Sequence, residues 1–194
     1  MGRWAAIGGS PLLIVIGELL LVVCSLCYLV WWTVTFKPSA RPPSGGGVFL
    51  AAAVLAGLAG LVLLVVGSAS LPDASALALL ATIVGGVLVG ALLLVVTSRA
   101  AHRPVTTELP LIVVWATAQL AAGIALRTAG ILSTPTASAW IVGTAAATLV
   151  GLACYLVFYR LEPIPAYRVG MVPLAVDGVV AAMLASMVVL ARVP

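Results

Sequence analysis

Apolar runs of about 20 residues, nearly free of charge, follow one another six times along the chain. A hydrocarbon core about 30 Å thick takes about 20 helical residues to cross, and inside it every backbone N–H and C=O must find its partner within the protein. Only helices or a closed barrel meet that condition. Barrel strands alternate apolar and polar residues, whereas Leu19-Leu20-Leu21-Val22-Val23 and Leu92-Leu93-Leu94-Val95-Val96 run on without alternation. The expected fold is therefore all-α: a single integral membrane domain, 1–194, forming a six-transmembrane-helix bundle, with spans near 12–34, 48–68, 76–97, 109–132, 139–159 and 171–191.

Composition removes the alternatives. With 64% hydrophobic and 7% charged residues, too little polar surface remains to wet a water-soluble domain between the spans. The net charge of +4 is a topology signal and a contact for anionic headgroups, so membrane lipids are the expected partners and nucleic acid is not. Between the spans lies turn and breaker chemistry. Lys37-Pro38-Ser39-Ala40-Arg41-Pro42-Pro43-Ser44 with Gly45-Gly46-Gly47 is the longest linker, and Pro72-Asp73, Thr106-Thr107-Glu108 and Thr134-Pro135-Thr136 supply helix caps.

Lysine and arginine set the orientation, because cytoplasmic connections retain them. The first, third and fifth connections hold Lys37 and Arg41, Arg99 and Arg103, Arg160 and Arg168; the other side holds Arg3, Arg192 and Arg127. Both termini are thus expected outside, with the loops 35–47, 98–108 and 160–170 cytoplasmic. Tyr28, Trp31, Trp32, Phe36, Phe158 and Tyr159 fall at the inner ends of spans and Trp4 and Trp140 at outer ends, as interface anchors do. Residues 1–11 lack the pattern of a cleaved signal peptide. Arginine outnumbers lysine eight to one, which suggests a GC-rich bacterial gene and hence the plasma membrane.

The run Ala51-Ala52-Ala53-Val54-Leu55-Ala56-Gly57-Leu58-Ala59 matches Ala145-Ala146-Ala147-Thr148-Leu149-Val150-Gly151-Leu152-Ala153 at seven of nine positions. Pro11-Leu12-Leu13-Ile14-Val15 and Pro110-Leu111-Ile112-Val113-Val114 align helices one and four, and Val84-Gly85-Gly86-Val87 with Val176-Asp177-Gly178-Val179 aligns three and six. Halves 1–100 and 101–194 would then be inverted three-helix repeats, an arrangement many transporters use. A competing register joins Ser70-Leu71-Pro72-Asp73-Ala74-Ser75-Ala76 to Ser133-Thr134-Pro135-Thr136-Ala137-Ser138-Ala139.

Charge inside a span costs about 2.5–3.5 kcal/mol at the helix centre, so each such residue needs a reason. There are three: Glu18, Arg127 and Asp177. Glu18 and Arg127 fall at matching depths from the outer side, which predicts an ion pair between helices one and four. Asp177 follows Pro173 by one turn and is expected about six residues from the inner end. Trp115, Gln119, Gly123 and Arg127 form a stripe at i+4 spacing, so Glu18, Gln119, Arg127 and Asp177 are the candidate lining of a polar path. The bland alternative lets the charged groups snorkel to headgroups.

Gly86 and Gly90 make a GxxxG, and Ala53 with Gly57 and Ala147 with Gly151 make small-xxx-small pairs, for helix packing within the bundle or against a homo-oligomer or partner membrane subunit. Cys24-Ser25-Leu26-Cys27 is a CxxC, with Cys154 at a depth comparable to Cys27. No basic residue lies near to activate a thiol, so a membrane-embedded redox enzyme is the weakest functional class. His102 has no second histidine to share a metal, and no Gly-rich phosphate loop, nucleophile elbow or HExxH is present. No catalytic residue, metal or cofactor is expected. The function favoured by these residues is transport or conduction of a small solute or ion, with a structural or accessory subunit as the alternative.

Overall fold

The structure, a computed structural model, describes residues 10–36, 46–72, 76–100 and 108–191. Six helices run in chain order: α1 Ser10–Phe36, α2 Gly46–Ala69, α3 Ala76–Val95, α4 Glu108–Thr128, α5 Thr134–Phe158 and α6 Pro163–Leu190. A π-helical turn, Val96–Ala100, extends α3. All six are long and apolar enough to span a membrane, and the chain is an all-α polytopic membrane protein. Most of the proline and glycine linker, Asp73, Thr106, Thr107, His102, Arg103 and residues 1–9 and 192–194 lie outside the described residues.

Exposure is inverted relative to a water-soluble fold. Leu77, Leu88, Val87, Leu149 and Leu190 are exposed, while Glu18, Gln119 and Thr144 are buried. A solvent of acyl chains accounts for that distribution, because it leaves apolar side chains at no cost and makes polar ones seek the interior.

Helix ends differ from the expected spans where polar residues continue a helix. The α6 helix begins at Pro163, eight residues before the expected start, with Glu162 at its N-cap and proline in its first turn. A proline there loses nothing, since the first turn has no intrahelical acceptors for its missing N–H. Much of the expected loop 160–170 is therefore helix. Gly46 and Gly47, expected in the linker, open α2. The α4 helix stops at Thr128, short of 132. Gly130 there takes φ 69°, and Ile131 N–H bonds to Leu126 O while Gly130 N–H bonds to Arg127 O, a Schellman motif that glycine enables. Ser133 then caps α5, its hydroxyl accepting from Thr136 N–H.

The tightest seam joins α1 to α2. Ser10, Ile14, Gly17, Leu21 and Cys24 alternate at steps of four and three, facing Gly67, Leu64, Gly60 and Gly57 of the antiparallel partner. A Cβ on Gly60 would lie 2.9 Å from Gly17 O, and one on Gly17 the same distance from Gly60 O. The two backbones touch. Ser10 Oγ donates to Ser70 O at 3.1 Å and pins the far end of this pair.

Around it, α1 also packs on α6, α6 on α5, α5 on α4, and α4 along a shorter seam on α2. Five helices thus form a ring. The α3 helix sits outside it, packed chiefly on α4. Gly86 there meets Thr117, and Gly90 meets Val113. Gly57 meets Cys24, and Gly151 meets Ile112. The four glycines among the small residues proposed from the sequence as packing positions therefore face helices of this same chain.

Candidate functional site

The first, third and fifth connections share one end of the bundle, here called the basic end. Between that end and the middle, the ring helices line a partly open cavity of about 320 Å³, with Val54, Leu58 and Leu111 of its lining themselves exposed. Its walls come from all five ring helices, from Leu21 to Trp32 on α1, Ala53 to Leu61 on α2, Leu111 to Trp115 on α4, Gly151 to Phe158 on α5 with Tyr159 at its C-cap, and Gly170 to Asp177 on α6. Toward the opposite end the interior is filled. Ile14, Ala122, Leu126, Trp140, Leu184 and Val188 are all at most 1% exposed there. The cavity is a vestibule with a closed floor.

Asp177 stands where the vestibule meets mid-bundle. It is 14 residues from Pro163 and 13 from Leu190 in the 28-residue α6, so it lies about 20 Å from either end of that helix at 1.5 Å per residue. This corrects the expected depth of six residues, which rested on starting the helix at 171. No hydrogen bond or ion pair engages Asp177 among the described residues. Ser25 and Cys24 line the cavity beside it, and Gly178 leaves room for Ser25, whose Cβ would lie 3.0 Å from a Cβ at that glycine.

Beyond the floor, Leu21 and Trp115 separate the vestibule from a polar knot one turn further along α1 and α4. Glu18 and Gln119 are both fully buried, and Gln119 Nε2 donates to Glu18 Oε2 at 3.0 Å. Trp140 Nε1 donates to Gln119 O at 2.9 Å, its indole close against Gly123, whose missing Cβ would lie 2.9 Å from the ring. The knot is incomplete. Glu18 Oε1, Gln119 Oε1 and Thr144 Oγ1 are buried without a hydrogen-bond partner. On antiparallel α4 and α5, Gly123 contacts Trp140 and Ile112 contacts Gly151, which sets Thr144 at the level of Gln119.

The expected Glu18–Arg127 pair does not form. Arg127 is in the last turn of α4 and exposed, where the helix C-terminus favours a cation. Glu18 is eight residues into α1, and its depth matches Gln119, nine residues before the end of α4. Of the four residues nominated from sequence, Glu18 and Gln119 meet, Asp177 faces the vestibule, and Arg127 stands apart. Cys24 and Cys154 line the vestibule and Cys27 does not; all three are free thiols.

The aromatic residues at the basic end are a second feature of the site. Tyr28, Trp32, Tyr155, Phe158 and Tyr159 line the mouth, and Trp32 reaches Phe158 at 5.9 Å between ring centroids. Trp32 Nε1 donates to Tyr167 O at 3.0 Å, tying α1 to the helical extension of α6. The sequence placed Tyr28, Trp32, Phe158 and Tyr159 at the interface, but Tyr155 was not among those anchors and no spacing indicated that the rings frame a cavity. Thr144 and Trp140 were missed as partners of Gln119, since contacts between helices leave no local spacing to read. Among the described residues, no group of three or more His, Cys, Asp or Glu is placed to hold a metal ion. Comparison of the chain with family models, with curated proteins and with solved structures finds no match.

Proposed function

We propose that this protein moves a small solute or ion across the membrane, with the vestibule as its access route from the basic end and the Glu18–Gln119 knot as the closed barrier. The observation that carries this reading is a one-ended cavity whose inner limit, halfway along α6, holds a carboxylate that no described residue pairs. A structural bundle gains nothing from an aspartate placed there, and charge so deep costs energy that function must justify. The two unpartnered oxygens of Glu18 and Gln119 offer a place for a cation or a proton in transit. Opening at the far side would require the packed half around Ile14, Leu126 and Leu184 to part, as in the alternating access of secondary transporters.

Reconstituted into proteoliposomes, the wild type is expected to pass a solute or ion that empty vesicles retain. Asp177→Asn and Glu18→Gln, both close in shape, should each lower that flux at least tenfold while elution in detergent stays unchanged. Undiminished flux in both variants would overturn the reading. A second reading is favoured by one observation, the position of α3 outside the ring: a helix that walls no part of the cavity is available to dock a partner membrane subunit or a second copy. Crosslinking from Leu88 in native membranes should then capture one discrete species.

A further inference from the structure

The vestibule has a composition that selects among solutes. Asp177 is the one charged residue among the described residues that line it, and no described arginine shares the lining. No described residue offers the carboxylate a hydrogen bond or a counter-charge. Everything else around it is apolar or aromatic apart from Ser25 and the two thiols, and the aromatic faces belong to Tyr28, Trp32, Trp115, Tyr155, Phe158 and Tyr159.

An anion entering this space would meet Asp177 with nothing to compensate it, and a neutral sugar or amino acid would find few polar partners. A strongly hydrated inorganic cation would have to shed its water against apolar walls, at a cost one carboxylate does not offset. A cation whose charge is spread under methyl groups or rings sheds little water. It gains from aromatic faces by cation–π attraction, about 0.5–2 kcal/mol for each well-placed ring, and from one opposite charge in a low dielectric. The volume of about 320 Å³ lies at the lower end of the range of small-molecule sites, about 300–1,000 Å³.

We propose that the vestibule binds an organic ammonium ion of apolar surface, its cationic nitrogen held at Asp177 and its apolar groups against the aromatic walls. This deepens the transport reading by naming the class of solute, and it rests on the same cavity. The ammonium has two sources, a free molecule entering from the basic end or the headgroup of a choline lipid.

The probe is benzyltrimethylammonium, measured by equilibrium dialysis against full-length protein in lipid nanodiscs, with empty nanodiscs subtracted. Its neutral isostere, neopentylbenzene, is the comparison. Saturable binding of the cation, at least tenfold tighter than the isostere, is expected. Asp177→Asn should weaken the cation tenfold or more and leave the isostere unchanged; Asp177→Glu should keep most of the affinity, which separates lost charge from lost fold. Glu162→Gln, which removes an exposed carboxylate outside the cavity, should change nothing. Nanodiscs of anionic and of choline lipid identify the source: equal affinity in both indicates a free cation, and competition by choline lipid indicates the headgroup. Equal binding of cation and isostere, or cation binding indifferent to Asp177→Asn, overturns the proposal. Binding with no flux of the cation contradicts the transport reading alone, whereas flux of an inorganic ion without ammonium binding contradicts only this one.

Discussion

Glu18 shows how one buried carboxyl organises its surroundings. Among the described residues its side-chain hydrogen-bond partner is Gln119, and both residues are fully buried, so the energetics of the pair are asymmetric. Removing Gln119 leaves a buried carboxyl without its donor, at about 1–3 kcal/mol, whereas removing both partners is nearly neutral. Gln119→Leu is therefore expected to lower the unfolding midpoint in detergent, and the double variant Glu18→Leu with Gln119→Leu to recover most of the loss. A double variant no more stable than the single one would show that the pair is not the source of the effect. The presence of ionisable groups inside the spans was legible from sequence, but the partner of Glu18 was not. Depth had to be counted from helix ends, and ending α4 near 132 put Arg127 level with Glu18. Ending it at Thr128, as Gly130 dictates, makes Gln119 the residue at that level.

At the scale of helices, hydropathy located all six elements because each carries a span of apolar residues, but it was blind to where helices continue into polar sequence. Pro163 after Glu162 was the available sign that α6 starts early, and Gly130 the sign that α4 stops early. Gly130→Ala forces a Cβ into the left-handed region and is expected to cost about 1 kcal/mol, read as a lower unfolding midpoint. The small residues that draw α1 and α2 into backbone contact, Gly17, Gly60 and Gly67, were not singled out from the sequence, which does not say which helices meet. Gly60→Leu should abolish a monodisperse bundle, since the obstructing atom is the backbone oxygen of Gly17 at 2.9 Å and cannot swing aside. Gly143→Leu, where nothing lies within 4 Å of the added Cβ, should purify as the wild type does. The repeat is a matter of seams too. Exchange of the halves maps α1 with α2 onto α4 with α5, and α1 with α6 onto α4 with α3, but α2 and α3 have no seam like that of α5 and α6. Gly57 meets Cys24 and Gly151 meets Ile112, yet the alignment of helices one and four equates Ile112 with Leu13, about three turns from Cys24.

For the whole molecule, the two ends of the bundle differ: one half is packed solid, and the other holds an aromatic-framed vestibule ending at Asp177. That asymmetry could not be read from a chain whose spans are all built from alanine, leucine, valine and glycine, since filled and hollow halves use the same residues. It assigns different environments to the cysteines, with Cys24 and Cys154 on the vestibule wall and Cys27 off it. Three variants, each keeping a single cysteine, can therefore be exposed in sealed vesicles to a membrane-impermeant cationic thiol reagent added to one face at a time. Cys154 and Cys24 should react when the reagent reaches the face carrying the basic connections, and neither should react from the other face, while Cys27 stays inert from both. Equal labelling from both faces, or no labelling of Cys24 and Cys154 from either, would contradict a water-accessible vestibule closed at one end.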